Sequence, residues 1–407
     1  YAESGGQVSD TGHIYNESFK GYVQDVAKAP HKQHIHLVQI TNGTIRTGDI
    51  VKAEIDTERR SKIARNHSAT HLLQEALRET LDKNLFQAGS RVDEKSLRFD
   101  FTYPGKITDK EILMAEDLVN EKIATKTDTS TEVMPLEEAK KRGALALFDE
   151  KYDDEVRVVS LYDSYELCSG THVKNVSDIE SFAIKYVESK GVNVYRIEAT
   201  TYTNIEKELF DVIKPYNEEM MKLLNKAKNI IEEADEEGIK LLFDVQIDNS
   251  KPTSYKDIVF NRKEVENVRD KVKSLEKEYY KQKQEKTLTD LSPFEQLVQN
   301  NSAGQFIVTK VENYDLQMLK LLVDKLTDKL TNGFVFIANV SNNNVNFIAK
   351  SSKELADLIN CGELIKKASI NAAGNGGGSK IFGQGGGTDV TNIDSTLKEI
   401  AEKVGKL

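Results

Sequence analysis

The chain has 407 residues, a length that predicts two or three domains, and its 38% hydrophobic residues are enough for buried cores. No apolar run is long enough to span a membrane, and the two cysteines are far apart, which excludes a membrane protein and a disulfide-held secreted scaffold and favours a cytoplasmic location. The net charge of −10 disfavours nucleic-acid binding only weakly, because a basic patch can lie on an acidic protein. The start at Tyr1, without Met, predicts a piece of a longer protein.

The first third of the chain predicts β structure followed by a helix. Apolar and charged residues alternate over 50–56, as in a half-buried strand, and Asn42-Gly43 before it predicts a hairpin turn. Residues 58–82 have helical periodicity, 90–102 alternate again, and 108–126 predict a second helix. With a β-rich stretch over 156–202, these elements predict an α+β domain over 1–203.

The middle of the chain, 204–290, changes to Lys- and Glu-rich helix. Pro215 predicts a kink or an interruption in the first helix. Five apolar residues follow a 3-4-3-4 spacing typical of a coiled-coil seam: Val265, Val268, Val272, Leu275 and Tyr279. Two heptads leave two alternatives open: a helical hairpin that packs on itself, and an arm that forms a homodimer.

The last part, 291–407, predicts a small α/β domain. Two apolar strands flank the polar turn 341–344, and a helix and a glycine tract follow, with eight glycines in the fourteen residues 374–387. The tract fits neither a Walker A loop nor a dinucleotide fingerprint. It leaves a phosphate-binding backbone and a flexible loop open, with Lys380 among the few cations nearby.

Two short pairs, His67-x₃-His71 and Cys168-x₃-His172, supply four residues of the types that zinc prefers. The i, i+4 spacing on a helix puts both imidazoles of the first pair on one face. Alone, each pair is more often structural. Together, in a chain with seven His and two Cys, they leave a zinc site and a structural role open as alternatives.

Several other residues are candidates for ligand binding, and each also has a purely structural explanation. Gly5 and Gly6 would let the opening loop approach a ligand, or would form a tight barrel turn. The hydroxyl of Thr70 could reach a ligand at the metal, or bond back to a helix carbonyl. Gln87 could contact substrate, and Arg196 could meet phosphate on its strand, where arginines are usually solvated.

In this order, YAESGGQVSDTG, RNHSATHLLQEALRE, QAGSRV, SLRFDF, LCSGTHV and RIEA resemble the editing domain of the alanyl-tRNA synthetase family. The helical stretch and the glycine-rich tail resemble the linker and C-terminal tRNA-binding domain of that family. The resemblance covers essentially the whole chain. It implies an α+β fold that contains part of a β-barrel, a helical or coiled-coil linker, and a small α/β C-terminal domain.

The resemblance also implies a function. The family hydrolyses serine or glycine wrongly attached to the tRNA for alanine, with one zinc ion on the residues that match its motif: His67, His71, Cys168 and His172. By the same match, Thr70 and Gln87 recognise the aminoacyl group, Cys168 is a catalytic candidate, and the Gly5-Gly6-Gln7 segment lines the site. The ATP-using module that charges tRNA is absent, so no ligase activity is expected from this piece.

Two departures from the family pattern weaken the expected RNA contacts. Residues 195–202 read YRIEATTY where the family commonly has two arginines, which leaves Arg196 alone. Ser379 stands where a basic residue is common, and Lys380 could compensate. Two alternatives remain: a tRNA-binding and dimerising arm with a structural zinc, and a free-standing trans-editing deacylase.

Overall fold

The computed structural model describes residues 1–31, 33–146, 152–245, 250–289 and 291–407. The chain divides into two compact units, Tyr1–Met221 with Gln246–Asn267, and Lys222–Val245 with Val268–Leu407. Within the described residues, no helix combines the length and apolar character needed to cross a membrane. The mixed arrangement of helices and sheets confirms the α+β class, whereas the three-domain division at 203/204 and 290/291 stays a prediction.

The first unit contains three sheets and the helices that cover them. Its strands are β1 (Gly12–Tyr15), β2 (Phe19–Lys28), β3 (His34–Gly43), β4 (Lys52–Ile55), β5 (Phe86–Val92), β6 (Leu97–Thr102), β7 (Ser130–Pro135), β8 (Glu155–Leu161), β9 (Ser164–Leu167), β10 (Phe182–Gly191) and β11 (Val194–Thr201). Its helices are α1 (Thr57–Thr80), α2 (Asp109–Ala124) and α3 (Leu136–Lys141), and the first part of α4 (Ile205–Glu236) and of α5 (Tyr255–Thr289).

The opening segment forms an antiparallel sheet of order β3-β2-β1-β4. The hairpin predicted at Asn42-Gly43 is wrong, because the strand after it pairs with β1 instead of β3. Gly43 ends β3 opposite Phe19 at a φ of +72°, and a Cβ there would lie 1.8 Å from the carbonyl oxygen of Ser18. Among the described residues this sheet is open, so the predicted part of a β-barrel stays a prediction.

Helix α1 is the centre of the first unit. Asp56 caps its N-terminus by accepting a hydrogen bond from the backbone N–H of Arg59 at 3.0 Å. All residues from Asn66 to Gln74 are buried, because α2 and the sheet β10-β11-β6-β5 pack around this helix. Polar side chains at 66–71 are therefore held in a fixed, largely dry environment, where each needs a hydrogen-bonding or metal partner.

Helix α4 runs through Pro215 as one continuous element, so the predicted interruption is wrong, while a kink stays a prediction. Every member of the predicted seam in α5 is buried, from Val265 to Tyr279. In the second unit, Lys226 pairs with Glu276 and Glu237 with Lys283. Because the residue numbers of both partners increase from the first ion pair to the second, the two helices run in the same direction there. The helices of a tight antiparallel hairpin would run in opposite directions.

The second unit contains a six-stranded sheet with helices, which is the α/β arrangement expected for the last part of the chain, whereas a separate domain over 291–407 stays a prediction. The sheet has the order β12-β13-β14-β15-β17-β16, and only β13 and β14 pair in parallel within the described residues. Its strands are β12 (Gln299–Asn300), β13 (Gln305–Glu312), β14 (Gly333–Ser341), β15 (Asn344–Ser351), β16 (Asn375–Gly378) and β17 (Phe382–Gly387). Besides the second part of α4 and of α5, its helices are α6 (Ser292–Glu295), α7 (Leu316–Lys329), α8 (Cys361–Asn371) and α9 (Ile393–Gly405).

The glycine tract forms the paired strands β16 and β17 against α8, so a flexible loop is the wrong alternative. Cβ atoms at Gly376 and Gly385 would lie 2.5 and 2.3 Å from the hydroxyl oxygen of Ser369 on α8. A Cβ at Gly362 would lie 2.4 Å from the carbonyl oxygen of Gly378. Close packing of helix on strands therefore explains much of the glycine content.

Candidate metal centre

Four side chains from distant parts of the first unit converge beside α1. Helix α1 supplies His67 and His71, one turn apart on one face, and the segment after β9 supplies Cys168 and His172. One potential ligand atom from each of the four lies within 4.8 Å of all the others. The fold thus brings together the two pairs that 96 intervening residues separate in the sequence.

Two of the distances among these atoms suit a tetrahedral zinc ion. The Sγ atom of Cys168 lies 3.5 Å from Nε2 of His67 and 3.3 Å from Nε2 of His172. Zinc bonds of ordinary length at tetrahedral angles place a sulfur and a nitrogen ligand about 3.5 Å apart. Three imidazoles and one thiolate are also a donor set that zinc prefers, so the residues fit the ion.

Each imidazole has its other nitrogen beside a side-chain oxygen. Nδ1 of His67 lies 2.7 Å from Oε1 of Gln7, and Nδ1 of His172 lies 3.2 Å from the hydroxyl of Ser68. Nδ1 of His71 lies 3.0 Å from the carboxylate of Glu166. Such contacts orient a ligating histidine and leave its Nε2 free for the metal.

The electrostatics favour the thiolate of Cys168 and the neutral imidazole of His172, which are the forms that bind a metal, but they favour the protonated form of His71, whose proton a metal would have to displace. Burial raises the pKa of the Cys168 thiol, but the nearby His67, His172 and His71 outweigh it and hold this pKa well below its usual value. Burial lowers the pKa of His172 to about 3. Burial also lowers the pKa of His71, yet Glu166 and Cys168 raise it well above its usual value.

A cavity of about 350 Å³ opens beside this cluster. Its walls include three of the four potential ligands and three of the other residues predicted at the site: His67, His71, Cys168, Gly5, Thr70 and Gln87. A cavity of this size is within the range of small-molecule binding sites. The structure therefore places a pocket next to the candidate metal ligands.

Thr70 lies in this wall with its hydroxyl already engaged. Its Oγ1 donates a hydrogen bond to the backbone carbonyl of Asn66 at 2.9 Å, the structural explanation for this residue. The hydroxyl lone pairs remain, so Thr70 can accept a hydrogen bond from a ligand but has no second proton to donate. The bond to a helix carbonyl is therefore confirmed, and contact of Thr70 with a ligand stays a prediction.

The other predicted substrate-binding residues lie outside the cavity wall. Gly6 packs on Ser90, and Gln7 contacts the metal-ligand candidate His67. The guanidinium of Arg196 forms two 2.8 Å hydrogen bonds with the carboxylate of Asp100. Lys380 belongs to the second unit and pairs with Asp357 at 3.1 Å.

Sequence reasoning missed the residues that support the ligands. Glu166 is 1% exposed and accepts hydrogen bonds from Ser164 at 2.7 Å and Gln74 at 3.2 Å while its carboxylate faces His71. Arg157 donates to the backbone carbonyls of Cys168 and Gly170, which fixes the loop between the last two ligand candidates. The only sequence signal for Glu166 was its place two residues before Cys168.

Three family models match parts of the chain. Residues 156–198 match the family model of the threonyl and alanyl tRNA synthetase second additional domain, which contains Cys168 and His172. Residues 1–59 match the class II (A) tRNA synthetases, and 303–406 match the DHHA1 domain. A second additional domain beside class II synthetase sequence defines a part of a class II aminoacyl-tRNA synthetase.

Individual relatives narrow the family. The chain is 35% identical to the alanine–tRNA ligase of Clostridioides difficile (strain 630), over 99% of this chain and 43% of that protein. It is also 35% identical to the alanine–tRNA ligase of Staphylococcus aureus (strain bovine RF122 / ET3-1), over 100% of this chain and 43% of that protein. Among solved structures it is similar to the C-Ala domain of Aquifex aeolicus alanyl-tRNA synthetase, with 27% identity, a TM-score of 0.25, and coverage of 26% of this chain and 97% of that one. Over essentially its whole length the chain is similar to alanyl-tRNA synthetases, and it spans less than half the length of these curated relatives.

Proposed function

We propose that this chain is the editing and tRNA-binding part of an alanyl-tRNA synthetase. It would hydrolyse the ester that joins serine or glycine to the tRNA for alanine. The observation that carries this proposal is the convergence of His67, His71, Cys168 and His172 in and beside the wall of a pocket of about 350 Å³. A ligand-sized cavity beside candidate metal ligands is typical of a catalytic site. Because four protein ligands fill a tetrahedral shell, one of them, such as Cys168, would have to leave the zinc before the ion could bind water or the ester carbonyl.

The four convergent side chains would hold one zinc ion per chain. When bound, zinc supplies Lewis-acid chemistry, polarising an ester carbonyl or lowering the pKa of a water molecule. The protein would contribute position: Gln7, Glu166 and Ser68 orient the imidazoles, and Arg157 holds the loop that carries Cys168. In the reaction, water adds to the carbonyl carbon, the bond to the ribose oxygen breaks, and that oxygen takes up a proton.

Selectivity would come from polar contacts to the misattached amino acid. Alanine is smaller than serine, so a steric filter cannot exclude the correct product. A site built to bond the serine hydroxyl discriminates when alanine leaves its polar groups unpaired. Thr70 would accept that hydrogen bond, Gln87 would contact the aminoacyl group from β5, and Gly5 would let the opening loop approach it.

The tRNA itself would be the macromolecular partner. The β16–β17 pair and Lys380 lie within residues 303–406, which match the DHHA1 domain, and we expect this region to bind tRNA. There, and at Arg196, an RNA phosphate would have to compete with Asp357 or Asp100 for the cation. A homodimer through the linker or the C-terminal domain, a cytoplasmic location, and the parent's ATP-dependent charging of tRNA with alanine belong to the same proposal.

The test compares hydrolysis of two aminoacyl-tRNAs by the zinc-replete chain. Faster ester loss from Ser-tRNA than from Ala-tRNA of the alanine type is expected, and Cys168→Ala should abolish it while the chain stays folded. Cys361→Ala is the matched control, because it removes the other cysteine, buried on α8 in the second unit.

Two results would count against the proposal. Equal hydrolysis by Cys168→Ala and the unchanged chain would separate the activity from the metal ligands. Zinc binding without hydrolysis above background would favour the alternative of a structural zinc in a tRNA-binding arm. The free-standing deacylase alternative is decided by the reading frame upstream of Tyr1, where a class II catalytic core would mean a synthetase.

A further inference from the structure

We propose that Gln7 is a positioning residue of the metal centre: it fixes the tautomer and orientation of His67 so that Nε2 faces the metal. This inference rests on the proposed zinc site. Gln7 is fully buried, at 0% exposure, and its side-chain oxygen lies 2.7 Å from Nδ1 of His67. It is separated from His67 by 60 positions in the sequence, so only the fold reveals the contact.

The orientation of the Gln7 amide follows from its other neighbour. Oε1 accepts a hydrogen bond from the backbone N–H of Thr171 at 2.8 Å, and the Thr171 hydroxyl lies 3.2 Å away. A backbone N–H can only donate, so the atom facing it must be the carbonyl oxygen and not the NH₂ group. The flipped amide would place two donors against each other.

The tautomer of His67 follows in turn. Because Oε1 of Gln7 has no proton, Nδ1 of His67 must carry the proton that joins them. A neutral imidazole with its proton on Nδ1 has its lone pair on Nε2, which lies 3.5 Å from Sγ of Cys168 in the ligand cluster. Gln7 therefore selects the form of His67 that can ligate.

The side-chain nitrogen of Gln7 is left without a hydrogen bond to the described residues in this arrangement. Among the described residues, the Gln7 NH₂ group is buried and has no hydrogen-bond partner. A buried donor that stays unpaired calls for an explanation. Here the fold keeps the oxygen on Thr171 and His67 and leaves the nitrogen unsatisfied, as expected where the oxygen is the functional atom.

Backbone hydrogen bonds of the opening turn fix the position of the Gln7 side chain. Ser4 and Gln7 exchange backbone hydrogen bonds at 3.1 and 3.3 Å, and Gly6 and Val8 bond to Val92 on β5. A Cβ at Gly6 would lie 2.5 Å from the Ser90 hydroxyl, so glycine allows this close docking. The metal centre thus draws on residues 1–59, outside the 156–198 segment that matches the second additional domain.

Zinc affinity of three variants provides the first test. Competition with a chromophoric chelator should show about 10- to 100-fold weaker zinc binding for Gln7→Leu, the usual loss when a residue that orients a ligand is removed. Gln7→Glu keeps the acceptor oxygen and should retain affinity. Asn66→Leu is the matched control, because Asn66 is an equally buried amide on α1 that bonds Asp93 and Thr201 and no ligand candidate.

A measurement on the unchanged chain keeps the inference falsifiable if Gln7→Leu does not fold. With ¹⁵N-labelled histidine and zinc bound, nuclear magnetic resonance should show His67 coordinated through Nε2, with an Nδ1 proton protected from exchange. A purely structural Gln7 would lower folding stability in Gln7→Leu without changing this coordination.

Three outcomes would overturn the inference: coordination of His67 through Nδ1, a rapidly exchanging Nδ1 proton, or equal zinc affinity in Gln7→Leu and the unchanged chain. Failure of the unchanged chain to bind zinc would instead remove the proposed metal site, and this inference with it. Zinc binding and hydrolysis that persist unaltered in Gln7→Leu would remove only this inference.

Discussion

Replacing Thr70 with valine tests the basis of serine recognition most directly. The side chain is buried in the cavity wall, and its hydroxyl donates to the carbonyl of Asn66 while its lone pairs face no other partner among the described residues. Valine has nearly the same shape, so the pocket volume is retained and only the hydrogen bond is lost. Thr70→Val should therefore slow Ser-tRNA hydrolysis and leave Ala-tRNA hydrolysis almost unchanged.

The expected size follows from the energy of one buried hydrogen bond. An intramolecular bond contributes about 1 kcal/mol net, and a buried group left unpaired costs about 1–3 kcal/mol. In Thr70→Val the serine hydroxyl would lose its acceptor, so the ratio of the two hydrolysis rates should fall by about 5- to 150-fold. Folding stability should change by only about 1 kcal/mol, because the hydroxyl gives up one bond to its own helix.

The assay measures ester loss from both aminoacyl-tRNAs under single-turnover conditions, together with the unfolding midpoint. Thr80→Val is the matched control: Thr80 also lies on α1 and donates to the carbonyl of Ala76 at 2.8 Å, but it is absent from the cavity wall. If Thr70→Val keeps the Ser-to-Ala rate ratio of the unchanged chain, Thr70 is not the serine acceptor and the reasoning is refuted.

Two further substitutions follow from packing and burial. Gly170→Ala should weaken zinc binding at least tenfold, because the added Cβ would lie 1.9 Å from Cε1 of His67. Gly191→Ala is the control and should leave zinc binding unchanged, because its added Cβ would meet no atom within 4 Å. Equal chelator-competition curves for the two variants would contradict this prediction. Burial raises the pKa of Glu116 from 4.5 to about 7, against the opposing backbone hydrogen bonds, so the folded state keeps a proton that the unfolded state has lost. The free energy of unfolding should therefore fall by up to about 3 kcal/mol as pH rises from 4.5 to 7. Urea unfolding of Glu116→Gln should not show this dependence on pH. If the unchanged chain and the variant lose stability in parallel, Glu116 is not the group responsible.

The helices and the ligand set were predictable because their signals are local. A 3.6-residue period identified α1 within two residues at each end, and the i, i+4 spacing placed His67 and His71 on one face whatever the rest of the chain does. The types of the four ligand candidates also stood in the sequence. What the sequence could not give was the distance between the pairs, because that depends on how β9 packs against α1.

Strand pairing was less predictable because it is non-local. Asn42-Gly43 has the local chemistry of a hairpin turn, yet β4 pairs with β1, and no residue near the turn carries that information. The glycine tract shows the same limit: its composition fits a loop or a phosphate cradle, and only contact with α8 shows that small residues are needed for close packing.

The sequence by itself indicated the class of the chain, the central helix and four candidate metal ligands, since residue type and periodicity are properties of the chain alone. Only the tertiary structure decided which groups support those ligands. Gln7 reaches His67 across 60 positions, and Glu166 reaches His71 across almost a hundred. Hydrogen bonds between distant segments depend on the packed geometry of the whole unit, and local sequence patterns do not reveal that geometry.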